Sequence, residues 1–322
     1  MSKSKPSRAI FAIFPETEIL DLAGPLQVLH EANALGADYR IVYAGTSQEI
    51  ATEQGLHISR LEALPAIAPG DLVLVPGSPA FQRRTQVRDV ARATGWLREA
   101  HELGATIASI CVGAFLLGEA RLLDHRTCTT HWSHAAALQT RFPKANVVGN
   151  RLYVADGRVV TSAGIASGID MTLALVERTH GARLAADVAR AMVVYVRRDG
   201  ASAQKSVYLQ HRDHLEPSVH VVQDWLVDHA GESYTLDDLA AIAGLSRRHF
   251  TRVFRQATGI GVKEYATKLR LERARLFLRD PSLTIDTIAE RCGFADARQL
   301  RRLWKDAYGT SPGADRGYHV SH

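Results

Sequence analysis

The stretch LDDLAAIAGLSRRHFTRVFRQATG, residues 236–259, predicts a helix, a tight turn and a second helix. Gly244 permits a turn conformation that a residue with a Cβ disfavours, and Ser246 is a good cap for the second helix. Apolar residues recur in that helix at the spacing of one buried face: Phe250, Val253, Phe254 and Ala257. The other face is polar and mainly basic: Arg247, Arg248, Thr251, Arg252 and Arg255. Such a helix fits a DNA major groove, although a single basic face could equally be an ordinary solvated surface.

A second copy of the pattern favours the DNA interpretation. The segment IAERCGF (288–294) repeats LAAIAGL (239–245) at an offset of 49 residues, and an internal repeat is stronger evidence than either copy alone. The apolar face returns as Leu300, Leu303, Trp304 and Ala307, and the basic face as Arg298, Arg301, Arg302 and Lys305. Between the copies, residues 262–279 predict one helix of roughly 27 Å, a spacer that could place two recognition helices in successive major grooves about 34 Å apart.

Residues 217–319 resemble the DNA-binding domain of the AraC/XylS family. The resemblance is carried by the stretch quoted above and by RLERARLFL (270–278), IDTIAERCGF (285–294) and YGTSP (308–312). It implies an all-α domain with two helix-turn-helix motifs whose exposed residues read bases, here Arg248, Thr251, Arg252, Arg298, Arg301 and Arg302. The sequence departs from the family where Leu300 and Trp304 replace the usual Phe, and where Ala314-Asp315 replaces a common Tyr.

Length and composition bound the whole chain. At 322 residues two domains are expected, and no apolar run approaches the ~18 residues of a membrane span. The short polar amino terminus precedes an apolar run too brief for a signal peptide, so we expect a cytoplasmic protein. The three cysteines are widely separated and show neither a disulfide framework nor zinc spacing; no metal or cofactor is expected.

The net charge of +5 is unevenly distributed along the chain. Residues 216–246 contain six carboxylates and no Lys or Arg, whereas residues 247–279 contain ten Lys or Arg and two glutamates. This asymmetry is a better indication of nucleic-acid binding than the overall charge.

The amino-terminal part predicts an α/β fold. Apolar runs typical of buried strands alternate with helical segments, which predicts a parallel sheet with helices on both faces. The predicted strands are 9–14, 39–44, 71–75 and 106–110, a hairpin spans 151–162 and turns at Asp156-Gly157, and the predicted helices are 24–33, 87–103, 112 onward, 169–177 and 184–196. The polar, aperiodic segment 197–216 is predicted to be an interdomain linker.

The segment ASICVGAF (108–115) places Cys111 at a strand-to-helix turn between small residues. That is the pattern of a nucleophile elbow, which projects a side chain from the carboxyl edge of a parallel sheet, where ligands bind in such folds. A helix amino terminus would also favour the thiolate. The alternative is a cysteine that packs as a small buried hydrophobe.

Residues 8–196 resemble the ThiJ/PfpI superfamily, which is related to class I glutamine amidotransferases and has a flavodoxin-like sandwich fold. The carrying segments are ILDLAGPLQVL (19–29), DLVLVPGSP (71–79), SICVGAFLLGEARLLDHRTCTTHW (109–132) and TSAGIASGIDMTLALVE (161–177). The resemblance implies an acidic residue that hydrogen-bonds the cysteine, here Asp21, and a histidine twenty residues after it, here His131. Val112 stands where several enzymes of the superfamily have a polar or acid/base residue. The expected ligand site is Asp21, Gly77, Cys111, Val112 and His131; Cys128 and Cys292 are expected in the cores.

Together the two resemblances match GlxA-type regulators of the AraC family. They imply a transcription regulator, with activation favoured, that senses a small molecule in domain 8–196 and binds double-stranded promoter DNA through domain 217–319. A homodimer and contact with RNA polymerase are also expected. Two alternatives stay open: a hydratase or amidase that uses Cys111, His131 and Asp21, and a redox sensor in which Cys111 is oxidised.

Overall fold

The structure is a computed structural model that describes residues 8–83, 87–164, 166–194, 198, 200, 204, 211, 212, 214–278 and 280–320. The chain forms two compact units, Met1–Gln204 and Lys205–His322. The finer boundaries at 8–196, 197–216 and 217–319 stay predictions, and most of the predicted linker lies outside the described residues. Among those residues, no helix is both long and apolar enough to cross a membrane.

The first unit is built on a mostly parallel sheet. Its strands are β1 (Arg8–Ala12), β2 (Arg40–Gly45), β5 (Glu62–Ala63), β6 (Leu72–Val75), β7 (Thr106–Ile110), β10 (Tyr153–Asp156) and β11 (Val159–Ser162). In the described residues these strands form one sheet in the order β10-β11-β7-β6-β1-β2-β5, with only β10 antiparallel to its neighbour. The parallel sheet and the hairpin are thus confirmed, and Gly157 supplies the left-handed turn at φ 63°.

Smaller strand pairs and the helices complete this unit. The strand pairs are β3 (Glu49–Ala51) with β4 (His57–Ser59), and β8 (Thr127–Cys128) with β9 (Asn146–Val147). The helices are α1 (Ile19–Ala34), α2 (Ala80–Arg83), α3 (Val87–Glu102), α4 (Gly113–Glu119), α5 (Ala135–Arg141), α6 (Ala166–His180) and α7 (Ala182–Ala191). Neither the small strand pairs nor α5 followed from the sequence pattern.

Both faces of the sheet are covered. Alternate strand residues such as Ile10 and Val73 pack with α3 and α4 on one side. Their neighbours Phe11 and Leu74 pack with α1, α6 and α7 on the other side. This double coverage explains why the strands are continuous apolar runs rather than alternating ones.

Helix α1 corrects one prediction from the sequence. The Gly24-Pro25 pair predicted a helix start, but the helix begins at Ile19 and holds Pro25 in its interior. A proline there costs a backbone hydrogen bond, yet its buried ring packs closely against Gly168 of α6. The consequence is that Asp21 lies in the first turn of α1 rather than in a loop.

The second unit is helical, as predicted. Its helices are α8 (Pro217–Asp228), α9 (Leu236–Ile242), α10 (Arg247–Thr258), α11 (Val262–Phe277), α12 (Ile285–Arg291), α13 (Ala297–Tyr308) and α14 (Pro312–Val320). Helix α11 contributes Tyr265 and Leu269 to the core of the first helix-turn-helix, α9–α10. Its Leu271 and Ala274 enter the core of the second, α12–α13, where Cys292 is fully buried as expected.

Candidate nucleic-acid interface and cysteine elbow

Helix α10 is defined by local signals at both ends. Ser246 caps its start, with Oγ accepting from the amide of His249 at 3.4 Å, and Gly259 ends it in the left-handed region at φ 76°. Helix α9 starts with a capping box in which Thr235 and Asp238 exchange hydrogen bonds. The turn between them places Gly244 at φ 65°, so a side chain there would be strained.

The second copy reproduces this geometry. Gly293 takes φ 73° in its turn. The amide that follows each turn glycine bonds the carbonyl five residues earlier at 2.9 Å, Leu245 to Ala240 and Phe294 to Ala289. Helix α13 likewise starts at a side-chain cap, Asp296, and ends at a left-handed glycine, Gly309. The repeat in the sequence is therefore a repeat in structure.

Both recognition helices present a basic face to solvent. The exposed residues are those predicted to contact DNA: Arg247, Arg248, Thr251, Arg252, Arg255, Arg298, Arg301, Arg302 and Lys305. The buried face was predicted less accurately, since Phe250, Phe254, Leu300 and Trp304 are fully buried but Ala307 is exposed. The predicted apolar stripe of α13 is therefore one residue too long at its carboxyl end.

The two basic faces differ in how they are paired. In α10, Arg247 lies 3.4 Å from Asp237, and Arg252 donates to Gln256 at 3.0 Å. Within the described part of the chain, none of the four basic residues of the α13 face makes an ion pair. Their guanidinium and ammonium groups keep their full capacity for a polyanionic partner.

The cysteine elbow lies at the carboxyl edge of the sheet. Strand β7 ends at Ile110 and α4 begins at Gly113, so Cys111 occupies the turn, at the left-handed φ of 54°. A residue other than glycine is uncommon there, and such strain is concentrated at functional sites. The Cys111 amide donates to Ser162 of β11 at 3.0 Å.

Asp21 and Gly77 adjoin the elbow. Asp21 is fully buried, and its Oδ2 accepts from the amide of Gly77 at 3.2 Å. A Cβ on Gly77 would lie 2.5 Å from that Oδ2 and 3.2 Å from Cys111 Cβ. On the other side, a Cβ on Gly164 would lie 3.0 Å from Cys111 Sγ. Cys111 is thus flanked by Gly77 and Gly164, and the buried Asp21 carboxylate lies beside Gly77.

The electrostatics of the elbow oppose the thiolate. Burial, followed by the Asp21 carboxylate, raises the pKa of Cys111 to about 12, and a backbone hydrogen bond at Val112 only partly offsets this. The expected effect of the helix terminus is present, since the backbone hydrogen bond at Val112 lowers the pKa, but burial and the Asp21 carboxylate outweigh it. At neutral pH Cys111 carries its proton.

Of the other two predicted ligands, His131 lies at the start of a 3₁₀ turn and Val112 lies in the core. His131 caps a 3₁₀ turn, with Nδ1 2.7 Å from Ser133 Oγ. The preceding residue, Thr130, is fully buried and donates its hydroxyl to the carbonyl of Cys111 at 2.7 Å. Val112 is buried in the core with the α3 and α4 side chains. Their roles as ligands stay predictions.

Gln204 also belongs to this site, and no sequence pattern pointed to it. Its Nε2 donates to the carbonyls of Thr130 and Arg151, each at 2.9 Å, and its amide donates to Asn150 Oδ1 at 3.1 Å. Thr130 therefore joins the Cys111 turn to the last residue of the first unit. Gly164, also missed, could have been found from the small-residue run AGIASG (163–168) that precedes α6.

Comparison with known proteins assigns both units. The pattern of the DJ-1/PfpI family matches residues 7–178, and that of a helix-turn-helix domain matches residues 239–317. The HTH-type transcriptional regulator GbdR of Pseudomonas aeruginosa is 28% identical over 323 residues, with 97% of this chain and 84% of that protein covered. The HTH-type transcriptional regulator GlxA of Rhizobium meliloti is 28% identical over 325 residues, with 98% of each covered.

The fold agrees with a solved structure. An AraC family transcriptional regulator from Pseudomonas putida superimposes with a TM-score of 0.51 at 23% identity, covering 58% of this chain and 100% of that one. At that identity the likeness concerns the fold alone. With a family pattern that spans more than half of its length, the chain belongs to the DJ-1/PfpI family and carries an AraC-type helix-turn-helix domain at its carboxyl-terminal end.

Proposed function

We propose that this protein is a transcription regulator that binds double-stranded promoter DNA in a sequence-specific way, controlled by a small molecule bound in its amino-terminal unit. One observation carries the proposal: two copies of one helix-turn-helix geometry, each with an exposed basic recognition helix. The names of the full-length relatives agree with it.

The chemistry of the two faces supports DNA rather than a protein partner. Arginine forks bind guanine edges and phosphates in two-pronged fashion, whereas lysine acts as a point charge. The α13 face contributes three arginines and one lysine, and α10 adds Arg248 and Arg255, which make no ion pair within the described residues. An acidic protein partner would not explain why the pattern occurs twice.

The elbow supports binding rather than turnover. Nucleophilic attack and oxidation both need the thiolate, and the pKa of Cys111 is raised to about 12. Val112 offers no proton and is buried, so His131 alone would have to serve as the base. We therefore assign Asp21, Gly77, Cys111, Val112 and His131 to an effector site without a catalytic role.

The remaining partners follow from this assignment. A regulator that acts on promoters works in the cytoplasm and, as an activator, contacts RNA polymerase. Paired DNA sites favour two-fold symmetry, so a homodimer is the expected assembly. The chemical identity of the effector is to be sought by thermal shift across a panel of small metabolites, because a ligand that binds only the native state raises its melting temperature.

The variant Cys111→Ala distinguishes an effector-binding role of Cys111 from a catalytic one. It is compared with the wild type for effector-dependent transcription and for hydrolysis of isonitrile, amide and ester substrates. We expect induction to be lost and neither protein to turn over substrate. Steady wild-type turnover that disappears in Cys111→Ala would instead establish an enzyme.

A further inference from the structure

The loop that leads into the first helix-turn-helix motif contacts the second motif through backbone atoms, and this contact is called the seam here. Residues 229–235 join α8 to α9 and so lead into the first motif, while Gly293 lies in the turn of the second. A Cβ on Gly293 would lie 2.9 Å from the carbonyl oxygen of Gly231, and one on Gly231 would lie 2.5 Å from that of Arg291. The two segments are therefore in contact through their backbones, with no space for a methyl group on either glycine.

The side chain of Arg270, on α11, stabilises this seam through hydrogen bonds. Its Nε donates to the carbonyl of Ala230 at 3.0 Å and its Nη2 to that of Glu232 at 2.9 Å. The guanidinium also lies over the ring of Tyr234, 5.3 Å from the centroid. A Cβ on Gly293 would lie 3.1 Å from that guanidinium. One side chain on the connecting helix thus holds the α8–α9 loop and lies beside the turn of the second motif.

The space around Gly293 is restricted by the neighbouring segment and not by the turn conformation itself. Gly244 occupies the equivalent position of the first motif with nearly the same φ, 65° against 73°. Nothing lies within 4 Å of a Cβ built on Gly244. Two glycines with one backbone role therefore differ only in their surroundings, which makes them a matched pair for mutation.

We propose that Arg270 and the Gly231–Gly293 contact fix the separation of α10 and α13, and thereby the spacing of the two DNA boxes that the protein accepts. The proposal rests on the DNA-binding function proposed above. Arg270 acts here as a positioning residue: it reads no base, and it determines where the second recognition helix lies when the first is in its groove. A loosened seam would let the two helices bind boxes at several spacings.

A measurement without DNA tests the mechanical part. Spin labels are attached to the full-length protein at Gln256→Cys and Asp306→Cys, exposed and equivalent positions of the two recognition helices. A Cys111→Ser background removes the one partly exposed native thiol, since Cys128 and Cys292 are fully buried. We expect Arg270→Met and Gly293→Ala to change the mean or width of the distance distribution by at least about 3 Å, comparable to the rise of one base pair. Gly244→Ala, which has the same backbone strain, should leave it unchanged.

A second measurement tests the consequence for DNA. A site is selected by the full-length wild type from random duplex DNA, and one base pair is then inserted between its two boxes. We expect the insertion to weaken wild-type binding roughly tenfold or more, the cost of losing contacts in one box. The ratio of the affinity for the original site to that for the site with the insertion should be at least about threefold smaller in Arg270→Met, because the second helix can follow its box. Arg270→Lys, which keeps the charge but not the fork, should behave like Arg270→Met.

The outcomes separate the two proposals. General instability would lower affinity for both DNA sites equally and leave their ratio unchanged, so it cannot imitate a loosened seam. If the distance distributions and the spacing ratio of Arg270→Met and Gly293→Ala both match the wild type, the seam does not position the helices. If the wild type selects no site, the proposed function fails, while the spin-label distances still decide whether the seam is rigid.

Discussion

The indole Nε1 of Trp304 donates a hydrogen bond of 2.8 Å to Oδ2 of Asp315. The two residues belong to the two places where the sequence departs from the AraC/XylS pattern, so the departures contact each other. Trp304 is fully buried in the second helix-turn-helix, and Thr310 occupies the other carboxylate oxygen at 2.8 Å. The bond therefore ties recognition helix α13 to the final helix.

Removing the acceptor should destabilise the second motif. Asp315→Ala leaves a buried indole N–H without its partner, which costs about 1–3 kcal/mol of unfolding free energy. Urea denaturation of the full-length protein measures this loss. Asp315→Asn keeps an acceptor oxygen and serves as the control; equal stability of the two variants would show that the hydrogen bond contributes nothing.

Arginine and lysine on the recognition helices should have different roles. Arg252→Ala and Arg302→Ala should each cost about 1–3 kcal/mol on the selected site and relax the preference at one base position. Lys305→Ala should weaken all sequences about equally and reduce the salt dependence by about one phosphate contact. Selection from random DNA with each variant provides the comparison. An unchanged base preference in Arg252→Ala would refute its placement in the groove.

The carboxylate beside the elbow should control the cysteine. Because Asp21 is one of the groups that raise the pKa of Cys111, Asp21→Asn should lower it, and alkylation by iodoacetamide should begin at lower pH. Glu18→Gln should shift the profile less, since Glu18 is the weakest of the contributing groups. If the pH midpoint of alkylation is unchanged or higher in Asp21→Asn, the Asp21 carboxylate does not raise the pKa of Cys111 and burial alone sets it.

The same shift has a consequence for stability at high pH. The folded protein holds the thiol proton more tightly than the unfolded chain, whose cysteine has the ordinary pKa of 9.0. The stabilisation is complete below that pH and is lost as the pH rises toward about 12. Burial also raises the pKa of Cys128 to about 12 and that of Cys292 to about 11, so Cys111→Ala should reduce this loss of stability at high pH without abolishing it.

Thr130 should couple the elbow to Gln204, the last residue of the first unit. Its hydroxyl bonds the carbonyl of Cys111 while its own carbonyl accepts from Gln204. Thr130→Val removes the first hydrogen bond and Gln204→Leu the second, and either should raise the rate of tryptic cleavage after Lys205 by roughly tenfold. Thr130→Ser keeps the hydroxyl and should match the wild type. Equal cleavage rates in the wild type, Thr130→Val and Gln204→Leu would show that these bonds do not hold the segment.

Sequence reasoning succeeded where the controlling interactions are local. Both recognition helices have their caps, turn glycine and buried period within about two dozen residues, so pattern and structure agree. Prediction from the sequence failed where contacts with distant segments determine the local structure. Pro25 lies inside α1 and packs against Gly168 of α6, and the environment of Cys111 depends on burial that no local spacing reveals. Gln204 lies in a polar segment without a period, and its partners are far away in the sequence.

The second unit is proposed to bind DNA through both basic helices. The direct measurement is the affinity of full-length protein, and of a 217–322 fragment, for the selected duplex at increasing salt. We predict that the fragment binds with the sequence preference of the whole protein, and that affinity falls at least about a hundredfold between roughly 50 and 200 mM salt. Binding that is insensitive to salt, or that resides in residues 1–196, would contradict the account.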